Sequence, residues 1–347
     1  MNLIDKTKDE IIKKKKDVNS AEALELFIEA SGRPWMILAA ASEIREHFKG
    51  KEIILCGITN AKSGKCSEDC KFCAQSSHYK TKATSYPLKT AKQIIAEAVE
   101  AARNGAEFFG IVVSGKSLKT KKEWKEILKA INGVREIGIS PCASLGIIDA
   151  EKAKELKSAG LFRYHHNLET ARSFFKNICT THDYEDDVET IRAARSAGLS
   201  VCAGALIGMG ESISHRIELA ETLRKLNVDS VPLNILNPVK GTPLSHMRAL
   251  PPMEILMTIA IFRFMLPDKD IKLCGGKERN LRQLLPLGIL SGANSLMTGN
   301  YLTTKGRDSS LDHEMIMDLG LIPTREQIKC KCDAGKINTC KPKTVLK

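Results

Sequence analysis

Short apolar runs alternate with longer amphipathic stretches along this chain from residue 53 onward. Read as strands, the apolar runs are Ile53–Thr59, Phe108–Val113, Ile139–Leu145, Arg163–Asn167, Val201–Ile207, Ser230–Ile235, Ile271–Cys274 and Asn294–Thr298. Between them, apolar residues recur at helical spacing over Ala91–Arg103, Lys122–Ile137, Ala150–Ser158, Tyr184–Ser196, Ser214–Leu226, Pro252–Phe264 and Glu278–Leu287. Eight strands alternating with helices predict an α/β chain of the TIM-type (β/α)8 barrel class. An open doubly wound sheet is the rival, but no Gly-x-Gly-x-x-Gly follows the first strand. Residues 1–50 read as a helical extension, with one helix capped near Ser20 and another over Trp35–Phe48. The pattern predicts a barrel over 51–322 and a cysteine-bearing C-terminal tail over 323–347.

Composition narrows the class. The 347 residues are 43% hydrophobic, enough for a sizeable core, and about right for one barrel of roughly 250 residues plus extensions. No run of about 18 apolar residues predicts a membrane helix. The lysine-rich N-terminus lacks the apolar stretch of a secretory signal, which implies a cytoplasmic protein. The net charge is +12, with lysines spread along the chain and aromatic residues at only 5%. That distribution argues against a nucleic-acid platform and suits an acidic protein partner such as an electron donor. Eleven cysteines in a cytosolic chain of this length point to metal or redox chemistry rather than disulfides.

The strongest motif is Cys66-Ser67-Glu68-Asp69-Cys70-Lys71-Phe72-Cys73, a C-x3-C-x2-C spacing just after the first strand. Three closely spaced thiolates can wrap one face of a [4Fe–4S] cluster and leave one iron open. S-adenosylmethionine can chelate that iron, and its reductive cleavage releases a 5′-deoxyadenosyl radical. Loops after barrel strands form the catalytic face, so the position suits the chemistry. Zinc is the alternative, with His78 as a fourth ligand.

The surrounding residues Asn60 to Ser77 resemble the cluster loop of the biotin synthase family, within the radical S-adenosylmethionine superfamily. Further similar segments follow in order: Tyr164–Thr170 with Thr180-Thr181, Gly204–Glu211, Val231–Asn234, Lys240–Leu244, Ser291–Ser295 and Leu302–Thr304. The resemblance covers about residues 35–322. It implies sulfur insertion into dethiobiotin to give biotin. It implies that Glu169 binds the ribose hydroxyls of S-adenosylmethionine, that Asn167 bridges cofactor and substrate, and that Asn234 binds the ureido ring. It also implies a low-potential donor such as flavodoxin or ferredoxin, and a homodimer. Relatives of hydrogenase maturase or methylornithine synthase type are the nearest alternative, and a non-catalytic metal-binding or nucleic-acid-binding protein the more distant one.

The chain departs from that family at several positions. Its familiar members hold a [2Fe–2S] cluster inside the barrel on three cysteines and an arginine. Cys142 and Cys202 match two of these positions, but Gly110 and Lys272 occupy the others, and Cys274 stands where serine is usual. Asp187 stands where many relatives carry an arginine. Cys330, Cys332 and Cys340 form a C-x-C-x7-C tail, which suits an auxiliary iron–sulfur cluster, with a four-iron type favoured over [2Fe–2S]. This resembles a biotin synthase variant in which sulfur comes from such a cluster. Cys142, Cys202 and Cys274 are the alternative auxiliary set. Cys56 and Cys179 read as structural residues.

Overall fold

The structure, a computed structural model, describes residues 2–325. Its strands are β1 (Glu52–Lys62), β2 (Phe108–Val113), β3 (Ser140–Ser144), β4 (Arg163–His165), β5 (Ser200–Cys202), β6 (Ala205–Ile207), β7 (Ser230–Ile235), β8 (Asp270–Leu273), β9 (Ser295–Met297) and β10 (Ile322–Pro323). All pairings between named strands are parallel, and β9 pairs back onto β1, so the sheet closes into a barrel. β5 and β6 share one place in the ring, since both pair with β7. Helices follow the strands on the outside, which is the α/β barrel the pattern predicts.

The single fifth strand expected over Val201–Ile207 is broken at Ala203–Gly204. Gly204 lies against β7, where an added Cβ would stand 2.0 Å from the Pro232 carbonyl oxygen. This close approach opens the ladder and frees backbone groups for the site described below. The helix expected over Glu278–Leu287 is also broken. It runs as Lys277–Leu281, a 3-10 turn Arg282–Leu284, and Leu285–Leu290. Pro286 has no N–H to continue the first segment and instead starts the last. The helix Ser309–Asp318 and β10, which pairs with the start of β1, carry no strong periodic signal in sequence.

Three helices precede the barrel: α1 (Leu3–Lys14), α2 (Ser20–Ala30) and α3 (Pro34–Lys49). The cap of α2 is Asn19 rather than Ser20. The Asn19 side chain accepts from the Glu22 N–H at 3.0 Å, and Glu22 accepts from the Asn19 N–H at 3.1 Å. Helix Pro252–Met265 explains what the extension is for. It is buried continuously from Ile255 to Met265, so it has no polar face to give to water. α2 and α3 pack against it and cover its outer side. Arg263, fully buried in that helix, is held by carbonyls: Nε donates to Gly292 at 2.8 Å and Nη1 to Lys269 at 2.8 Å.

Candidate active site

The functional loops leave the C-terminal ends of the strands and surround one cavity of about 470 Å³. The cysteine loop follows β1. Gly64 and Lys65 both take positive φ, and an added Cβ at Gly64 would lie 2.7 Å from Ser85, so the chain turns sharply there. Gln75 then ties the loop together. Its Oε1 accepts from the Gly64 N–H at 3.1 Å and from Ser63 Oγ at 3.0 Å, while its carbonyl accepts from the Cys66 N–H at 3.0 Å. Asp69 anchors the outer side by accepting from the Thr180 N–H at 2.8 Å. Cys66, Cys70 and Cys73 all line the cavity as a result. His78 does not join them, because its Nε2 lies 2.9 Å from the Ser67 carbonyl.

Across the cavity, the break at Gly204 builds the other wall. The Gly204 N–H donates to Asn167 Oδ1 at 3.2 Å, and the Gly204 carbonyl accepts from the Glu169 N–H at 3.2 Å. Glu169 takes φ 60, and its Oε2 accepts from Asn167 Nδ2 at 3.4 Å. Burial pushes the Glu169 carboxyl up to about 7. Asn234 clamps two elements: Nδ2 donates to the Ala205 carbonyl at 3.2 Å, and Oδ1 accepts from the Gly275 N–H at 3.0 Å. One amide hydrogen and one lone pair remain for a ligand. Behind Glu169, Glu211 is buried and accepts from the Gly208 N–H at 2.8 Å, the Met209 N–H at 2.7 Å and Arg216 Nε at 2.7 Å.

A further wall went unread in sequence. Asp187 is buried and faces two imidazoles: His166 Nε2 at 2.8 Å and His182 Nε2 at 3.4 Å. His182 Nδ1 reaches Glu68 at 2.7 Å and Cys179 Sγ at 3.3 Å. Burial opposes the charge on His182, yet its bonds to Asp187 and Cys179 raise the imidazole to about 11. Cys179 in turn lies 3.7 Å from Cys70 Sγ. The paired histidines and the acidic run Asp183–Asp187 were the available signal, but only the fold brings them to the cysteine loop.

At the floor lie Cys56, Cys142, Cys202, Lys272 and Cys274. Burial works against ionisation of Cys202, but Lys272 and His165 beside it bring the thiol down to about 6. Burial pushes Cys142 and Cys274 up to about 12. All eight cysteines among the described residues are free thiols. Cys330, Cys332 and Cys340 lie outside the described residues.

A family model for the radical SAM superfamily matches residues 61–223, and one for the biotin and thiamin synthesis associated domain matches 232–322. The biotin synthase of Geotalea uraniireducens (strain Rf4) is 52% identical over 305 residues, covering 88% of this chain and 93% of its own length. That of Geobacter sulfurreducens is 52% identical over 301 residues, covering 86% and 92%. The chain belongs to the biotin synthase family. Among solved structures, methylornithine synthase superposes with a TM-score of 0.78 at 20% identity, covering 92% of this chain and 97% of that one. The hydrogenase maturase HydG of Carboxydothermus hydrogenoformans gives 0.76 at 16%, covering 94% and 81%. At those identities the likeness is one of fold.

Membership of the biotin synthase family and the radical SAM superfamily brings a [4Fe–4S] cluster and S-adenosylmethionine as cofactors. The cysteine loop fits the cluster. Cys66, Cys70 and Cys73 bring three thiol donors from one eight-residue loop to a single cavity, the donor set such a cluster takes. Two positions at the barrel floor can give iron no ligand. Gly110 offers no donor atom, and the Lys272 ammonium has no lone pair. No helix among the described residues is long and apolar enough to cross a membrane.

Proposed function

We propose that this chain inserts sulfur into dethiobiotin to form biotin in the cytosol. The observation that carries the reading is that one cavity joins the Cys66/Cys70/Cys73 loop, Glu169 and Asn167, Asn234 and the thiol-lined floor. Cys66, Cys70 and Cys73 hold the [4Fe–4S] cluster. When bound, that cluster and S-adenosylmethionine supply hydrogen-atom abstraction from unactivated C–H bonds. Glu169 accepts from the ribose hydroxyls, Asn167 stands between cofactor and substrate, and Asn234 offers its remaining donor and acceptor to the ureido ring.

Sulfur comes from an auxiliary iron–sulfur cluster of four-iron type. In sequence, Cys330, Cys332 and Cys340 are the first choice for its ligands. A second reading places it on Cys142, Cys202 and Cys274, and the observation in its favour is that these thiols line the same cavity as Asn234. The basic surface suits an acidic low-potential donor, flavodoxin or ferredoxin, and the working unit is a homodimer. The test is anaerobic incubation of the reconstituted chain with S-adenosylmethionine, dethiobiotin and dithionite. Biotin and 5′-deoxyadenosine should both form. Deoxyadenosine without biotin would refute sulfur insertion and leave the radical chemistry standing.

A further inference from the structure

The floor thiols can be ranked by height within the barrel. Ladder partners in a tilted barrel do not lie at one height, because each strand is displaced along the axis relative to the last. The observed register includes Cys56↔Phe108, Gly110↔Cys142, Cys142↔Arg163, His165↔Cys202, Cys202↔Ser230, Pro232↔Lys272 and Lys272↔Ser295. Allowing one residue of displacement per strand, as (β/α)8 geometry requires, brings Cys56, Cys142, Cys202 and Lys272 to the same level. They come from alternate places in the ring, on β1, β3, β5 and β8. That is the arrangement of one interior layer of four side chains. Cys274, two residues beyond Lys272, stands two levels nearer the mouth.

Contacts agree with this layer. Cys56 and Cys142 pack in one cluster with Phe108. Lys272 Nζ lies 3.9 Å from Cys202 Sγ. The layer directly above contains Gly110, which puts no side chain over the thiols, and Gly110, Cys56, Cys142 and Cys202 all line the same cavity. Lys272 is only 7% exposed, and among the described residues it has no carboxylate partner. Its hydrogen-bond partner is the Cys202 sulfur, so the one lysine of the layer stands beside a thiol, where a cation offsets the negative charge of thiolate-ligated iron. Spacing says what kind. Among the described residues, the one trio whose ligand atoms fall within 4.8 Å of one another is Glu68, Cys179 and His182. The layer thiols therefore stand too far apart to share one zinc ion, whose thiolate ligands sit at about 2.3 Å from the metal. A multi-iron cluster takes each thiolate on a different iron.

We propose that Cys56, Cys142 and Cys202 are the protein ligands of the auxiliary iron–sulfur cluster, with Lys272 as its counter-cation. The lost ligand position on β2 is replaced from β1. The proposal rests on the sulfur-insertion reading and chooses the barrel over the tail, with Cys56 in place of Cys274.

The test reads metal rather than biotin, so its failure is distinct from failure of that reading. The full chain is reconstituted anaerobically with iron and sulfide, and clusters are counted by Mössbauer spectroscopy and iron content. Cys56→Ala should lose the auxiliary signal and keep the [4Fe–4S] signal of the Cys66 loop, which also certifies folding. Cys274→Ala and the triple Cys330/Cys332/Cys340→Ala variant should each keep both. Lys272→Met should retain ligation but lower auxiliary occupancy at least several-fold. An auxiliary signal that survives Cys56→Ala, or that disappears with the tail variant, would overturn the assignment. So would loss of both clusters in Cys56→Ala and Cys56→Ser alike, which would make Cys56 a folding residue.

Discussion

Replacing Glu169 by glutamine removes one charge from the cavity and little else. Glutamine keeps the side chain's length and one acceptor oxygen. It also leaves the backbone, at φ 60, with a residue of similar steric demand. Hydrogen bonds to a charged acceptor contribute about 1.5–3 kcal/mol, so S-adenosylmethionine affinity at pH 8 should fall roughly 10- to 150-fold. The pH dependence sharpens the expectation. Burial holds the carboxyl near 7, so it is mostly ionised at pH 8 and roughly one-tenth ionised at pH 6. Only the carboxylate is the strong acceptor. Wild-type affinity should therefore weaken roughly tenfold as pH falls from 8 to 6, relative to the Gln variant, which has no charge to lose. Equilibrium dialysis of radiolabelled S-adenosylmethionine, anaerobic and without reductant, measures both constants with no turnover. A wild-type to Gln ratio that stays constant across this range would refute the role of Glu169 charge. A ratio near one at pH 8 would refute the contact itself.

Three further outcomes are expected. Alanine at any one of Cys66, Cys70 or Cys73 should abolish 5′-deoxyadenosine formation under reducing anaerobic conditions, and normal cleavage in such a variant would sink the loop assignment. Glu211→Ala strips Arg216 of its closest carboxylate, leaving only Glu254 at 2.9 Å and Thr258 at 3.1 Å. It should cost about 3 kcal/mol, read from the urea midpoint at unchanged slope, and a loss under about 1 kcal/mol would show that Glu254 compensates. Gly204→Ala drives a methyl into the Pro232 carbonyl and should destabilise by at least about 1–3 kcal/mol while weakening S-adenosylmethionine binding; full affinity in a folded variant would remove the strand break from the account.

Much of this barrel was legible because its strands and helices obey simple periods. Phe108–Val113 and Ser230–Ile235 are apolar enough to be read to the residue. The break at Gly204 was not, because it depends on how near β7 comes, and nothing in Val201–Ile207 records that distance. The cysteine loop could be read because its three cysteines are close together in sequence. The level that Cys56 shares with Cys142 and Cys202 could not, since the three strands are brought together only by ring closure. The Asp187–His182–Glu68 wall failed for a related reason: three segments supply it, and each alone resembles an ordinary solvated face. β10 is two residues long and has no period to detect.

The packing of α2 and α3 on helix Pro252–Met265 has a consequence in time. The first helices leave the ribosome with their apolar sides bare, and the surface they cover is translated about 200 residues later. At about 5–20 residues per second the wait is roughly 10–40 s. Throughout it, Leu26, Ile37 and Ile44, all fully buried in the finished protein, have only the neighbouring N-terminal helices to rest on. The opening segment of this chain is thus a natural client for chaperones, and translation speed across the barrel should set how much of it escapes aggregation.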